Sequence, residues 1–211
     1  MLNEANPYGN WVIVASIIAV SLFFVTKYIP VKTKFEKRSG GALVAFAVAL
    51  FTEMYGFPLT IYLLSSFFGI QIPLTHQYGH LFAYALTFLG IDVLYGWIIV
   101  MAISTTVIFI GLGLIVDGWR KLYHGGGELI TSGIYEKVRH PQYLGIFIVM
   151  TGFLIQWPTL ITLIMYPFLV VSYYKLAKRE ESDVLQIHRE KYVEYMRKTP
   201  MFFPKILNRA R

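Results

Sequence analysis

Three short stretches of this chain carry residues whose types and spacing suit chemistry. Arg139, His140 and Pro141 stand together in "GIYEKVRHPQYLG". Glu180 and Glu181 are adjacent in "KREESD", and Tyr192, Tyr195 and Lys198 lie in "YVEYMRKTPMFFP". An arginine donates to anions, an imidazole exchanges a proton near neutrality, and paired carboxylates accept from hydroxyls such as those of a ribose. A carboxylate or imidazole could also serve as a general base. Each stretch has an ordinary reading too. Pro141 suits the first turn of a helix and biases His140 toward an extended backbone. Arg139 marks the cytoplasmic end of a membrane helix, and Tyr143 fits an interfacial aromatic belt. "KREESD" reads as a helix emerging into water, and the last stretch as an amphipathic surface helix ended by Pro200 and Pro204. The choice depends on whether the chain brings the three together.

The elements that must position them are membrane helices. Of 211 residues, 56% are apolar and 15% charged, more apolar surface than a soluble domain of this length can bury. Apolar runs at Trp11 to Ile29, Ala42 to Phe68, Val93 to Val116, Leu144 to Trp157 and Thr159 to Leu176 predict an all-α polytopic protein with about five transmembrane helices. The last two form a hairpin through the "QWP" turn at Gln156 to Pro158. Tyr78 to Ile91 is expected to be a surface or re-entrant helix. All 19 Lys and Arg fall in three blocks, Lys27 to Arg38, Arg120 to Arg139 and Lys175 to Arg211. Five crossings put every block on one side, with the amino terminus outside and the carboxyl terminus cytoplasmic. The first run is expected to be a span rather than a cleaved leader, because its flank lacks a basic start. The net charge of +7 is thus explained by topology, and a nucleic-acid partner is not expected.

The chain has no cysteine, and its five histidines show no metal-ligand spacing, so no metal site is expected. "GLGLIVDG", Gly111 to Gly118, lacks the strand and third glycine of a dinucleotide turn. "HGGGE", His124 to Glu128, reads as a flexible loop. Glu53 is placed roughly mid-span, facing the protein interior. His76 and His80 are assigned to an ordinary loop.

Because the hairpin legs are antiparallel, Arg139 and His140 are expected beside Glu180 and Glu181 at the cytoplasmic surface. With "LITSGIYEKVRHPQYLG" (Leu129 to Gly145), "REE" (Arg179 to Glu181) and "YVEYMRKTPMFFP" in order, the last 85 or so residues resemble the isoprenylcysteine carboxyl methyltransferase and phospholipid methyltransferase superfamily of integral membrane enzymes. The resemblance implies S-adenosyl-L-methionine as cofactor, residues 1–119 as substrate-side helices and 120–211 as the cofactor-binding region. It implies that Tyr135 and His140 hold the methionine portion, with Leu129, Gly133, Pro141 and Tyr143 lining the pocket. Glu180 and Glu181 would lie near the ribose and reacting end, and Tyr192 and Tyr195, with the "FFP" tail, would help enclose the adenine. Arg139, Glu181 and Lys198 are the implied catalytic residues, the two cations neutralising an acidic substrate or the cofactor carboxylate. A family histidine is replaced by Gly127, for which His124 could substitute. The implied partners are membrane lipids and a lipophilic small-molecule substrate whose methyl acceptor is open. Two other readings stand beside this one: a nicotinamide-dependent membrane reductase of the sterol type, and a non-catalytic membrane transporter or assembly protein.

Overall fold

The computed structural model describes residues 8–28, 34–73, 76–124 and 128–204, all of whose regular structure is helical. In order these are α1 (Trp11–Tyr28), α2 (Lys34–Phe51), a π-helical turn (Thr52–Gly56), α3 (Leu59–Phe68), α4 (His76–Gly79), α5 (Leu81–Thr87), α6 (Val93–His124), α7 (Ile134–Lys137), α8 (Pro141–Gln156), α9 (Leu160–Ile187) and α10 (Arg189–Lys198). Three stretches are long and apolar enough to cross a membrane: Arg38–Gly56, Val93–Leu122 and Leu160–Ile187. Large apolar side chains such as Phe109, Ile164 and Phe168 are exposed along these helices, as a lipid-facing surface would require. Gly127 and the side chain of His124 lie outside the described residues.

The chain divides into two compact units, the first comprising 1–105 with 152–172. Here the apolar run read as Ala42 to Phe68 is two helices. The π turn widens the last turn of α2, and the chain breaks at Phe57 and Pro58 before α3. Proline has no amide to continue the ladder. Glu53 therefore sits at the end of the Arg38–Gly56 stretch, not mid-span. Its Oε2 accepts the Thr60 amide at 2.8 Å, so the carboxylate closes the N-terminal turn of α3. The segment before α1 is tied down by Gly9 N–H to Gly56 O (2.9 Å) and Asn10 N–H to Tyr55 O (3.0 Å). At seven residues, α5 rises about 10 Å and is too short to cross a bilayer.

His80 is not in an ordinary loop. It is 1% exposed, its ring stands edge-on to Trp97 and Trp157, and Nδ1 lies 2.6 Å from the Gln156 carbonyl. A carbonyl only accepts, so that nitrogen carries the proton. Gly79 leaves room for the Trp157 ring; a Cβ there would lie 2.0 Å from it. The hairpin turn is thus buried among aromatic rings, which its sequence alone does not indicate.

The second unit comprises 106–151 with 173–211. In it α6 and α8 cross at two glycines. A Cβ on Gly111 would lie 2.7 Å from the Gly145 carbonyl, and one on Gly145 would lie 2.6 Å from that of Gly111. Two turns further along α6, a Cβ on Gly118 would meet Pro141 at 3.3 Å. Gly111 and Gly118 of "GLGLIVDG" therefore serve close helix packing. Both long helices outrun their apolar segments. α6 continues past Val116 to His124 and α9 past Leu176 to Ile187, carrying Glu180 and Glu181 on an intact helix.

Candidate active site

Arg139 and His140 occupy the short extended link between α7 and α8. Gly133 starts α7 at φ 69°, a left-handed value that favours glycine, and its amide donates to Glu136 Oε1 at 2.9 Å. Val138 ends that helical turn in an extended conformation. Pro141 then begins α8, as the residue pair dictates. Across from the link runs the tail that follows α10 (Arg189–Lys198). Arg139 N–H donates to Pro200 O at 2.9 Å and His140 N–H to Met201 O at 3.1 Å.

At the centre is Glu181, 3% exposed. Its Oε1 accepts from Arg139 Nε at 2.7 Å and faces His140 Nε2 at 3.3 Å, while Oε2 faces Lys178 Nζ at 3.4 Å. Arg139 also donates through Nη1 to the carbonyls of Met196 (3.2 Å) and Thr199 (2.5 Å). It thereby joins α9 to the tail. Glu180 is the open member of the pair, with a side chain 37% exposed. It accepts from the Tyr143 hydroxyl, and its Oε2 lies 3.5 Å from His140 Nδ1. The His140 ring stacks on Tyr143 and packs against Phe202, which also contacts Phe147 and Tyr174.

Both ring nitrogens of His140 thus face a carboxylate, an arrangement suited to an imidazolium that donates twice. Burial disfavours that charge, but the hydrogen bonds and charges of Glu180 and Glu181 outweigh it and raise the pKa above the ordinary 6.5. A raised folded value contributes stability that is complete below 6.5 and is lost as pH rises through it. The thermal midpoint of the purified protein in detergent is therefore expected to fall as pH rises above 6.5, and His140→Gln to flatten that slope.

The tyrosines form a second layer. The Tyr135 hydroxyl donates toward Gly118 O (3.2 Å) and Gln142 Oε1 (3.3 Å), and its carbonyl accepts from the Tyr195 hydroxyl at 2.6 Å. Burial pushes the Tyr195 hydroxyl up to about 12, with the nearby Arg139 opposing and Glu181 adding to the shift. Burial, then the charge of Glu181, likewise raises Tyr192, whose ring lies 5.8 Å from that of Tyr195.

The fold therefore brings Arg139, His140, Tyr143, Glu180 and Glu181 into direct contact, and brackets them with Tyr135 and Tyr195. Leu129 and Lys198 are elsewhere. They line an open cleft of about 530 Å³ with Thr131, Glu136, Tyr195 and Thr199. Lys198 is largely exposed and pairs with Glu194 at 2.6 Å. The expected residues omitted Gln142, Thr199 and the tail carbonyls. Backbone acceptors leave no signature in residue type, whereas "FFP" was a visible signal for Phe202. Among the described residues no group of three or more His, Asp or Glu could hold a metal ion.

Residues 99–186 match the model of the isoprenylcysteine carboxyl methyltransferase (ICMT) family. Over 119 residues the chain is 32% identical to methanethiol S-methyltransferase of Crocosphaera subtropica, covering 53% of this chain and 44% of that protein. It is 29% identical over 115 residues to the nickel-cobalt-cadmium resistance protein NccN of Alcaligenes xylosoxydans xylosoxydans, covering 52% of this chain and 53% of that one. It is 26% identical over 113 residues to the cobalt-zinc-cadmium resistance protein CzcN of Cupriavidus metallidurans, covering 52% of each. The chain thus spans about half the length of the curated relatives it matches. No solved structure matches it at a significant level. Tyr135, Arg139, His140, Tyr143, Glu180 and Glu181 all lie in the segment 99–186, the part of the chain that is similar to the isoprenylcysteine carboxyl methyltransferase family.

Proposed function

We propose that this protein is an integral membrane enzyme that transfers a methyl group from S-adenosyl-L-methionine to a lipophilic small molecule. The single observation that carries the reading is the contact of His140 with both Glu180 and Glu181, built within the segment that matches the family. The residues fit the cofactor. Glu180 keeps a partly open carboxylate with acceptor sites left for ribose hydroxyls, and Tyr143 and His140 fix its direction. The cleft of about 530 Å³ beside Leu129, Tyr195 and Thr199 has the volume of a small-molecule site. When bound, the cofactor supplies an electrophilic methyl group on a sulfonium. The chain's own residues then bind, orient and exclude water, which in a displacement of this kind is mainly a matter of alignment. Arg139 and Glu181 act from behind, holding α9 and the tail in place.

In this reading α1 and α8 join the three long apolar stretches to give five crossings, with the site and the carboxyl terminus on the cytoplasmic face. The first five helices, which lie outside the family match, are assigned to substrate selection. The name of the relative that methylates methanethiol supports a small thiol among the acceptors. His140→Ala is expected to weaken S-adenosylhomocysteine binding at least about tenfold by calorimetry in detergent, from the loss of one charge-assisted contact. Wild-type affinity in that variant would remove His140 from the site, and binding of NADPH in place of S-adenosylhomocysteine would favour the reductase reading.

A further inference from the structure

The two adjacent glutamates differ in what they are free to do. Glu181 is 3% exposed and already faces Arg139, His140 and Lys178. Glu180 has a side chain 37% exposed and faces only Tyr143 and His140 among the contacts described above. Of the roughly four acceptor positions of a carboxylate, Glu180 uses two and keeps the rest on a partly open side chain, whereas Glu181 uses three and is closed off by burial.

The cations tell the same story. Arg139 would be the natural receiver of an anionic substrate, yet three of its five N–H groups are committed, Nε to Glu181 and Nη1 to the carbonyls of Met196 and Thr199. Its side chain is 9% exposed. Turning it toward a substrate anion would release the tail. The buried charges of Arg139 and a protonated His140 are already matched by Glu180 and Glu181, and the remaining cation among these contacts, Lys178, pairs with Glu181 at 3.4 Å. An entering carboxylate would instead meet Glu180 directly.

We propose that the methyl acceptor is an uncharged thiol, that Glu180 takes its proton, and that Glu181 and Arg139 are positioning residues. This rests on the methyltransferase reading above. The sulfur–hydrogen bond breaks with its proton passing to a Glu180 oxygen, and the sulfur's electron pair forms the bond to the methyl carbon. The donor's carbon–sulfonium bond breaks, leaving its electron pair on a neutral thioether. A thiol is a far stronger acid than an alcohol, with a pKa of about 8.5 for the cysteine side chain, and can yield its proton to a carboxylate as the sulfur–carbon bond forms. An alcohol is too weak an acid to do so, and a carboxylate acceptor has no proton to give.

The test uses the full chain in detergent, with 1-butanethiol and butanoate as matched acceptors. With S-adenosylhomocysteine present, the wild type is expected to bind 1-butanethiol and not butanoate in calorimetry, and with labelled donor to methylate the thiol at least about 100-fold faster. Glu180→Gln is expected to lose about 100-fold in kcat toward 1-butanethiol at saturating donor, the lower range for a general base. Thiophenol, which ionises in water without help, should reduce that defect to below about tenfold. Glu181→Gln should lower kcat equally for the two thiols, because it disturbs position rather than proton transfer. Butanoate binding or reacting as well as 1-butanethiol would overturn the proposal, and so would a Glu180→Gln defect of equal size with thiophenol. Absence of S-adenosylhomocysteine binding to the wild type would instead overturn the methyltransferase reading, and this proposal with it.

Discussion

Replacing Glu181 by alanine is expected to cost about 3–5 kcal/mol of stability and to abolish measurable S-adenosylhomocysteine binding. The side chain is 3% exposed and compensates Arg139, itself nearly sealed, together with His140 and Lys178. Deleting it leaves a buried guanidinium with one N–H group unsatisfied and an imidazolium with one carboxylate instead of two. The tail should loosen as well, since Arg139 holds Met196 and Thr199 only while its own position is fixed. Thermal unfolding in detergent measures the first effect, and limited proteolysis around residues 199–204 the second. The double variant Arg139→Ala/Glu181→Ala should be less damaging than the two single effects added together, because the second change removes the charge that the first orphaned. Additive losses would show that the pair is not coupled.

Gly145→Leu is expected to prevent folding. The position has no room for even one carbon: a Cβ would lie 2.6 Å from the Gly111 carbonyl and 3.0 Å from the Ile115 amide nitrogen. Both are backbone atoms of α6, so relief requires moving a whole helix. Ordinary overpacking costs about 1–3 kcal/mol, and a backbone collision exceeds that range. Since α8 begins at Pro141, displacing it also displaces His140 and Tyr143. Gly113→Ala on the same helix is the control. Its Cβ would meet nothing within 4 Å, and alanine should gain about 1 kcal/mol of helix preference. The yield of monodisperse protein in detergent reports both; a well-folded Gly145→Leu protein would disprove the crossing.

Much of this site was legible before any coordinates. The order "RHP", hairpin, "REE" places Arg139 and His140 beside Glu180 and Glu181 because two antiparallel legs joined by a tight turn return the chain to the side it left. Pro141 specifies its own place at the head of α8 for a local steric reason. Other features were misread for equally physical reasons. Glu53 looked mid-span because hydropathy runs smoothly through Phe57 and Pro58, although the backbone breaks there. His80 looked like loop because its burial comes from Trp157, 77 positions away in the chain. Gly111 and Gly118 resembled a failed nucleotide turn, since a glycine's role is set by the helix that crosses it.

The sequence by itself determined that this is a helical protein with stretches apolar enough to cross a membrane and its cations gathered in three blocks, and which cations and carboxylates could meet. Those properties follow from transfer free energies and helical geometry, both local in the chain. Only the tertiary structure decided how the meeting groups divide the work. Whether a carboxylate is saturated or open, and whether a guanidinium faces a ligand or holds a tail, depends on backbone carbonyls and on burial. Glu180 and Glu181 are identical and adjacent in sequence. A helix turns about 100° per residue, so one faces Arg139 and the interior while the other faces Tyr143 and the opening.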